Sequence, residues 1–298
     1  MLEIIKKIED IFCQFNEKDY TKIFIKLEDC ESLILLCVID KKARELIETY
    51  FQDFFDFNNN QLYLKSAYNT PHKITEVFTH IAKTLQQHKV LKIREENILL
   101  QTTDGKYNLG YVDRSLLHVF GLLAHGVHLN AYVEKTNPQG SIAKYLWIAR
   151  RAKTKLHDPL KLDNLVAGAV SLGFSPSETL IKEAGEEAGI TEVVSEKAIS
   201  KQIISYKVNK YGGVRNDIVH IFELKLPEDF KPIAVDGEVE EFILLDCHQV
   251  LNLLIENFDS FKYNSAITIL FFLYSHNFIK DIELNNFLKT FFTKLSYN

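Results

Sequence analysis

The first 120 residues alternate between two spacings of apolar positions, one typical of helices and one typical of buried strands. From Ile74, apolar residues recur at i, i+3, i+4, i+7 and i+11, which predicts an amphipathic helix from there to about His88. LEIIKKIEDIFCQF (2–15) and KKARELIETYFQDFF (41–55) follow the same helical spacing, and SLILLCVID between them predicts a buried strand. This part of the chain is therefore predicted to be α/β.

From His128 the pattern changes to that of strands. HLNAYV and AKYLWIAR flank the turn sequence TNPQG (136–140), which predicts a hairpin with a five-residue loop. ISKQIISYKV and VRNDIVHIFELKL flank NKYGG (209–213), which predicts a second hairpin. VEEFILLD predicts a last strand, and the final fifty residues have a helical pattern.

This change of pattern predicts two domains. Residues 1–124 would form a smaller N-terminal α/β domain, whose function the sequence does not indicate. Residues 125–298 would form a second domain of strands followed by C-terminal helices.

The charge balance argues against some classes of partner. A formal net charge of -5 and a pI near 6.1 give no overall attraction to nucleic acid or to an acidic membrane surface. The longest apolar run, AITILFFLY (266–274), is too short to span a bilayer, and MLEIIKKIEDIF lacks the apolar centre of a signal peptide. The four cysteines show no CxxC or paired metal spacing, as in reduced cytosolic thiols. We expect a cytoplasmic protein, either monomer or homodimer, with neither nucleic acid nor membrane as partner.

One short stretch, SPSETLIKEAGEEAGI (175–190), predicts an acidic helix with defined ends. Ser175 followed by Pro176 and Glu178 is a capping box with proline in the first helical position, and Gly189 is suited to the C-terminal stop. At 100° per residue, apolar residues form one face and carboxylates gather on roughly the opposite one. The carboxylates are Glu183, Glu186 and Glu187.

Crowded like charges destabilise such a helix by a few tenths of a kcal/mol per pair, and Gly185 costs about 1 kcal/mol more relative to alanine. A solvated charged face is one interpretation. The other is a hard divalent cation, because Mg²⁺ takes oxygen ligands and is commonly shared between carboxylates and substrate phosphates.

The longer stretch GAVSLGFSPSETLIKEAGEEAGI (168–190) resembles the Nudix box, whose pattern is G-x5-E-x7-R-E-U-x-E-E-x-G-U with U aliphatic. Two positions depart from it: Phe174 stands where the box has its first glutamate, and Lys182 where it has arginine. Lysine keeps the positive charge but loses the planar fork of arginine, which weakens its expected orienting role. The positions in register are Gly168, Glu183, Glu186, Glu187, Gly189 and Ile190.

Segments outside the box resemble the plant and fungal Nudix proteins related to thiamine pyrophosphokinase, which carry an extra N-terminal domain. They lie between about residues 105 and 280 and include GVHLNAYV, YLWIARRAKTK, LDNLVAGAVSLGFSP and DGEVEEFILL. In that group an aliphatic residue often stands at the position of Phe174. The resemblance implies an α/β (α+β) protein, with a C-terminal Nudix α/β/α sandwich around a mixed sheet and a smaller α/β domain before it.

The resemblance also implies an activity. It would be Mg²⁺- or Mn²⁺-dependent hydrolysis of thiamine diphosphate, and preferentially of its damaged oxo and oxy analogues, to the monophosphate and phosphate, as metabolite repair. Glu183, Glu186 and Glu187 would hold the metal, with Lys182 as their orienting partner.

Further candidates lie outside the helix. Glu238 before the last strand is either another metal ligand or general base, or a solvated turn residue. Arg150 and Arg151 point to opposite faces of their strand, so one of them is expected to contact a phosphate. Trp147 either stacks on a heteroaromatic ring or packs in the core, and Asp163 and Asn164 either order the box loop or belong to a turn. Asn130 and Gly168 complete the predicted substrate-binding set.

Two other functions stay open from the sequence. The box alone is compatible with a nucleotide sugar or a nucleoside diphosphate as substrate. A non-catalytic Nudix-fold binding module is the second, favoured by Phe174 and Lys182 and opposed by the three intact glutamates. Isoprenoid isomerisation would require a cysteine near the site, and Cys247 follows the last strand instead.

Overall fold

The structure is a computed structural model, and it describes residues 2–28, 30, 32–136 and 140–297. The α-helices are Leu2–Phe12 (α1), Lys41–Tyr50 (α2), Pro71–Gln87 (α3), Pro176–Ala188 (α4), Glu192–Ser195 (α5), Cys247–Glu256 (α6), Tyr263–Ser275 (α7) and Ile282–Leu295 (α8). None of these described helices is long and apolar enough to cross a membrane.

Ten of the described strands precede the acidic helix and three follow it. They are Thr21–Ile25 (β1), Ile34–Ile39 (β2), Phe55–Asn58 (β3), Gln61–Leu64 (β4), Asn97–Gln101 (β5), Asn108–Asp113 (β6), Leu123–Thr136 (β7), Ile142–Arg151 (β8), Leu162–Asn164 (β9), Val166–Ala169 (β10), Ile199–Lys210 (β11), Gly213–Lys225 (β12) and Val239–Asp246 (β13).

The N-terminal part contains a four-stranded sheet in the order β2-β1-β4-β3, in which β1 and β4 are parallel. The expected buried strand is confirmed as β2, whose last four residues are buried. The prediction of one helix over 41–55 is wrong in its second half. Helix α2 ends at Tyr50, and Phe55 pairs with Leu64 in the hairpin of β3 and β4. Burial in that sheet overrides the helical spacing of the aromatic residues.

A mixed sheet forms the centre of the C-terminal part. Its order is β11-β12-β7-β8-β13, with β7 and β12 parallel and the other neighbours antiparallel, and β9 and β10 pair with β8 and β7. The second predicted hairpin is confirmed, with both turn residues, Tyr211 and Gly212, at positive φ. Residues 137–139 of the first predicted turn lie outside the described residues.

Helices cover both faces of this sheet, which confirms the expected sandwich. Leu180, Ala184 and Ala188 of α4 share a buried cluster with alternate residues of β7, on one face. On the other face, α6, α7 and α8 pack in a second cluster with the opposite set of strand residues. The site described below lies on the α4 face, where that helix crosses β10.

Helix α1 packs on the C-terminal layer, although the predicted division assigns it to the N-terminal domain. Ile4, Ile8 and Phe12 belong to the cluster of α6, α7 and α8. The ring of Phe12 lies 5.0 Å from that of Tyr206 and 5.8 Å from that of Phe291. The division at 124/125 stays a prediction, and the buried contacts of α1 cross it.

Candidate active site

Helix α4 begins and ends as its sequence predicts. Ser175 Oγ accepts a hydrogen bond from the Glu178 backbone N–H at 3.2 Å, and Glu178 Oε2 accepts one from the Ser175 N–H at 2.8 Å. Gly189 ends the helix in the left-handed conformation, at φ 65°. The capping box confirms that Glu178 serves the helix end.

The three box glutamates differ in their environments. Side-chain exposure is 50% for Glu186 and 19% for Glu183, while Glu187 as a residue is only 7% exposed. Lys182 pairs with Glu186 at 2.5 Å and lies 3.8 Å from Glu183, so the lysine retains the charge pairing expected of the box arginine. The inner carboxylates therefore face the sheet, and only the outermost one faces solvent.

A glycine on β10 makes room for Glu183. A Cβ added to Gly168 would lie 2.5 Å from Glu183 Cγ and 2.6 Å from its Cδ, well inside van der Waals contact. Gly168 was predicted to contact substrate, and the structure gives it this steric role. Next to it, the Ala167 N–H donates to Glu187 Oε2 at 2.9 Å, which fixes the second inner carboxylate against the same strand.

The two inner carboxylates are largely buried, and burial raises the pKa of each. Burial raises the pKa of Glu187 to about 8, and the charges of Asp163 and Glu183 act in the same direction, against the Ala167 N–H and Lys155. Burial also raises the pKa of Glu183, against the opposing charge of Lys182. Groups perturbed in this way are typical of functional sites and favour a bound cation.

Two carboxylates of the loop before β13 meet Glu187. One oxygen each of Glu187, Asp236 and Glu238 lie within 4.8 Å of one another, and we call these three residues the carboxylate cluster. The Glu238 N–H donates to Asp236 Oδ1 at 2.8 Å across Gly237, whose φ is 76°. The predicted candidate Glu238 is thus placed beside Glu187. Asp236 was not predicted; two acids flanking a glycine, as in DGE, were the available signal.

The donor set fits a hard divalent cation. All the converging atoms are carboxylate oxygens, which suit Mg²⁺ or Mn²⁺. Glu183 lies one turn before Glu187 on α4, whereas Glu186 pairs with Lys182. Among the described residues, the three carboxylates that converge are therefore those of the cluster. The metal roles predicted for Glu183, Glu186 and Glu187 stay predictions.

Two cations, Arg151 and Lys155, line the cleft that contains Glu187 and Glu238. This cleft is lined by Arg151, Lys155, Asp163, Asn164, Glu187 and Glu238, among others. Arg151 donates to Asp163 Oδ2 at 2.8 Å and to the carbonyls of Asp158 and His157, each at 3.0 Å. Arg150 lies on the other face of β8, where it pairs with Glu241 at 2.6 Å. The structure brings only Arg151 of this pair to the cleft.

Asp163 is the buried carboxylate that pairs with Arg151 and Lys262 beside the cleft. Burial alone would raise its pKa, but the positive charges of Lys262 and Arg151 outweigh burial and hold the pKa well below its usual range. Lys262 Nζ lies 3.4 Å from Asp163 Oδ2. Asp163 thus anchors both Arg151 and Lys262 through contacts to a buried carboxylate.

Comparisons with known proteins agree with this geometry. The NUDIX domain model matches residues 127–265. Nudix hydrolase 20, chloroplastic, of Arabidopsis thaliana is 30% identical over 298 residues, covering 92% of this chain and 78% of the relative. The chain belongs to the Nudix hydrolase family. Its box helix is α4, and the resemblance to the box and the hydrolase class are both confirmed.

Another relative and a solved structure are also similar to this Nudix protein. Nudix hydrolase 24, chloroplastic, of Arabidopsis thaliana is 33% identical over 77% of this chain, which spans 62% of that relative's length. A crystal structure from Deinococcus radiodurans aligns with 54% of this chain and 90% of its own, at 23% identity and a TM-score of 0.40.

Two predicted substrate contacts of this Nudix protein lie away from the cleft lining. Asn130 is 1% exposed; it donates to the Thr268 carbonyl at 2.9 Å and accepts from Asn164 Nδ2 at 2.8 Å, inside a polar network beneath α7. Trp147 is half-buried and packs against the cluster under α4. Their substrate roles stay predictions. Lys155, which was not singled out, lies in the cleft itself.

Proposed function

We propose that this Nudix protein is a divalent-metal-dependent diphosphatase that hydrolyses thiamine diphosphate and, preferentially, its oxo and oxy analogues. The products would be the monophosphate and phosphate, and the role metabolite repair. The observation that carries the diphosphatase activity is the convergence of the Glu187, Asp236 and Glu238 carboxylates, with Arg151 and Lys155 lining the same cleft as Glu187 and Glu238. The thiamine substrate is supported by the resemblance between about residues 105 and 280.

Several carboxylates of the chain would hold the metal that hydrolysis requires. Glu187, Asp236 and Glu238 would hold Mg²⁺ or Mn²⁺, together with Glu183 from the preceding turn of α4. A divalent cation held there would neutralise diphosphate charge and lower the pKa of a bound water. Water adds to the terminal phosphorus and the bond from that phosphorus to the bridging oxygen breaks, releasing phosphate.

Arg151 would position a phosphate of the substrate. The guanidinium of Arg151 is fixed by Asp163 and two carbonyls, so it offers a rigid donor edge to a phosphate with little loss of side-chain entropy. Glu238 is exposed at the edge of the cluster, where water has access, and we propose that the oxygen of its carboxylate that does not bind the metal acts as the general base. Glu187 is too buried for that task and serves the metal.

Initial rates on different diphosphates test this function. With Mg²⁺ or Mn²⁺, we expect phosphate release from oxythiamine diphosphate to exceed that from thiamine diphosphate, and turnover of ADP-ribose to be at least ~10-fold slower in kcat/KM. Rates with EDTA give the metal-free control. Faster turnover of ADP-ribose would assign the nucleotide-sugar substrate instead, and no metal-dependent turnover of any diphosphate would favour a binding module.

The cytoplasm remains our proposed location, on the basis of the four free cysteines. Both Arabidopsis relatives named above are described as chloroplastic, which is a property of those proteins.

A further inference from the structure

Lys155 contributes a positive charge to the carboxylate cluster. Its Nζ forms an ion pair with Glu238 Oε2, and 21% of its side chain is exposed, facing the cleft. Its charge also acts on Glu187 and Asp236. Three carboxylates and one ammonium therefore share the space in which the proposed function requires a divalent cation.

The backbone around Lys155 is anchored, so only its side chain needs to move. Ala152 N–H donates to the Glu238 carbonyl at 2.9 Å, and the Lys155 N–H donates to the Ala152 carbonyl at 3.1 Å. These bonds tie the lysine's loop to the loop that carries Glu238. A rotation about the side-chain bonds of Lys155 leaves both loops in place.

An ammonium and a divalent cation compete for the same oxygens. Repulsion among closely spaced carboxylates requires a positive counter-charge, and an intramolecular lysine supplies one at high effective concentration. A divalent cation held by these carboxylates would bring twice the charge and would compete directly with the lysine for Glu238. The ammonium then needs another anion.

The neighbours of Lys155 indicate which anion that is. Its nearest cations, Arg151 and Lys262, repel it, and both are paired with Asp163. Asp163 is 4% exposed and already holds two cations, so it has little capacity for a third. The remaining anion that reaches this cleft is the terminal phosphate of the substrate, delivered beside the metal.

We propose that Lys155 is a resident counter-ion of the metal site, which leaves Glu238 when metal binds and then contacts the terminal phosphate of the diphosphate substrate. This inference rests on the proposed function, because it requires both a metal and a phosphate in the cleft. It makes Lys155 a specificity-determining residue for the phosphate end of the substrate, whatever organic group lies at the other end.

A metal titration without substrate tests whether Lys155 competes with the metal for Glu238. Mn²⁺ binding is measured by calorimetry on the wild-type chain, Lys155→Met and Glu187→Gln, with Lys153→Met as the control from the exposed part of the same loop. Removal of the competing ammonium should tighten Mn²⁺ binding by at least ~3-fold in Lys155→Met, since the site keeps its ligands and loses its internal competitor. Lys153→Met should bind like the wild type, and Glu187→Gln should lose binding.

Steady-state kinetics test whether Lys155 contacts the terminal phosphate of the substrate. Lys155→Met should raise KM for the diphosphate by ~10-fold or more, with kcat reduced less, whereas Lys155→Arg should restore KM to within about threefold of the wild type. A purely structural role would change neither metal affinity upward nor KM selectively. Thermal melting checks the fold, and Lys155→Gln replaces the methionine variant if that variant does not fold.

The outcomes separate this inference from the proposed function. Unchanged or weaker Mn²⁺ binding in folded Lys155→Met, or an unchanged KM, overturns the role of Lys155 while wild-type hydrolysis leaves the diphosphatase intact. If the wild-type chain neither binds Mn²⁺ nor releases phosphate, the proposed function itself fails and this inference fails with it.

Discussion

Two glycines of the box segment illustrate how single residues shape the site. Gly168 lies on β10 directly beneath Glu183, where a Cβ would be 2.5 Å from the glutamate Cγ. Gly185 lies in α4, and a Cβ there would meet only the Ile190 carbonyl, at 3.8 Å. The first glycine is required by a close approach, whereas the second costs the helix stability without an evident steric reason.

Alanine at these two positions should have opposite effects. Gly168→Ala should displace the Glu183 carboxylate, lower kcat/KM by at least ~10-fold and destabilise the protein by about 1–3 kcal/mol through overpacking. Gly185→Ala should instead gain about 1 kcal/mol of helix stability and keep its activity. Urea unfolding and phosphate-release assays measure both. Normal turnover by Gly168→Ala would show that the position of Glu183 does not matter for the reaction.

Among the residues of the site, the sequence predicted those that lie on helix α4. It missed those from distant segments that folding brings beside α4. The capping box and the three glutamates follow from local spacing, and both are in place on α4. Asp236 comes from a loop some fifty residues later, and no local pattern indicates that it meets Glu187. The burial of Glu187 was also missed, because a helical wheel does not show how closely β10 approaches.

One element of the N-terminal part holds the loop that leads into α4. The Leu172 N–H donates to the Asn97 carbonyl at 2.9 Å, and Ser171 Oγ donates to Glu96 Oε1 at 3.1 Å. The second oxygen of Glu96 pairs with Arg114 at 2.8 Å. Strand β5 thus fixes the box loop, including the segment where Phe174 replaces the first box glutamate. No pattern in the sequence indicated this contact, since β5 and β6 were not predicted.

A double-mutant cycle measures this contact. Ser171→Ala and Glu96→Ala should each destabilise the protein, and together they should destabilise it by about 1 kcal/mol less than their sum, because both remove the same hydrogen bond to a charged group. Urea unfolding of the four proteins gives the coupling. Additivity to within ~0.3 kcal/mol would mean that the hydrogen bond between Ser171 and Glu96 does not stabilise the loop in solution.

In the molecule as a whole, elements that are distant in the sequence pack together in ways that the sequence pattern does not indicate. The pattern correctly predicted an α/β part followed by a mixed sheet with helices on both faces, because alternation and helical spacing report which faces are buried. Those patterns do not indicate which other helix or strand each buried face packs against. Phe12 of α1 therefore reaches Phe291 of α8, almost the whole length of the chain away, and this contact was not predicted.

The proposed metal and phosphate site draws its charged residues from distant parts of the chain. Glu187 links them: it is anchored to β10 by the Ala167 N–H, it meets the loop of Asp236 and Glu238, and it carries the pKa most raised among the box glutamates. The central claim, that this cleft performs metal-dependent hydrolysis, therefore depends on this one carboxylate.

The most direct measurement is metal-dependent phosphate release by Glu187→Gln. Glutamine has the same shape and replaces a carboxyl whose pKa is about 8, so the metal-free variant should fold with a melting temperature close to that of the wild type. Its turnover with Mg²⁺ or Mn²⁺ should fall by roughly two orders of magnitude, about 3 kcal/mol of transition-state stabilisation. Wild-type turnover by a correctly folded Glu187→Gln would contradict the account and remove the carboxylate cluster from the mechanism.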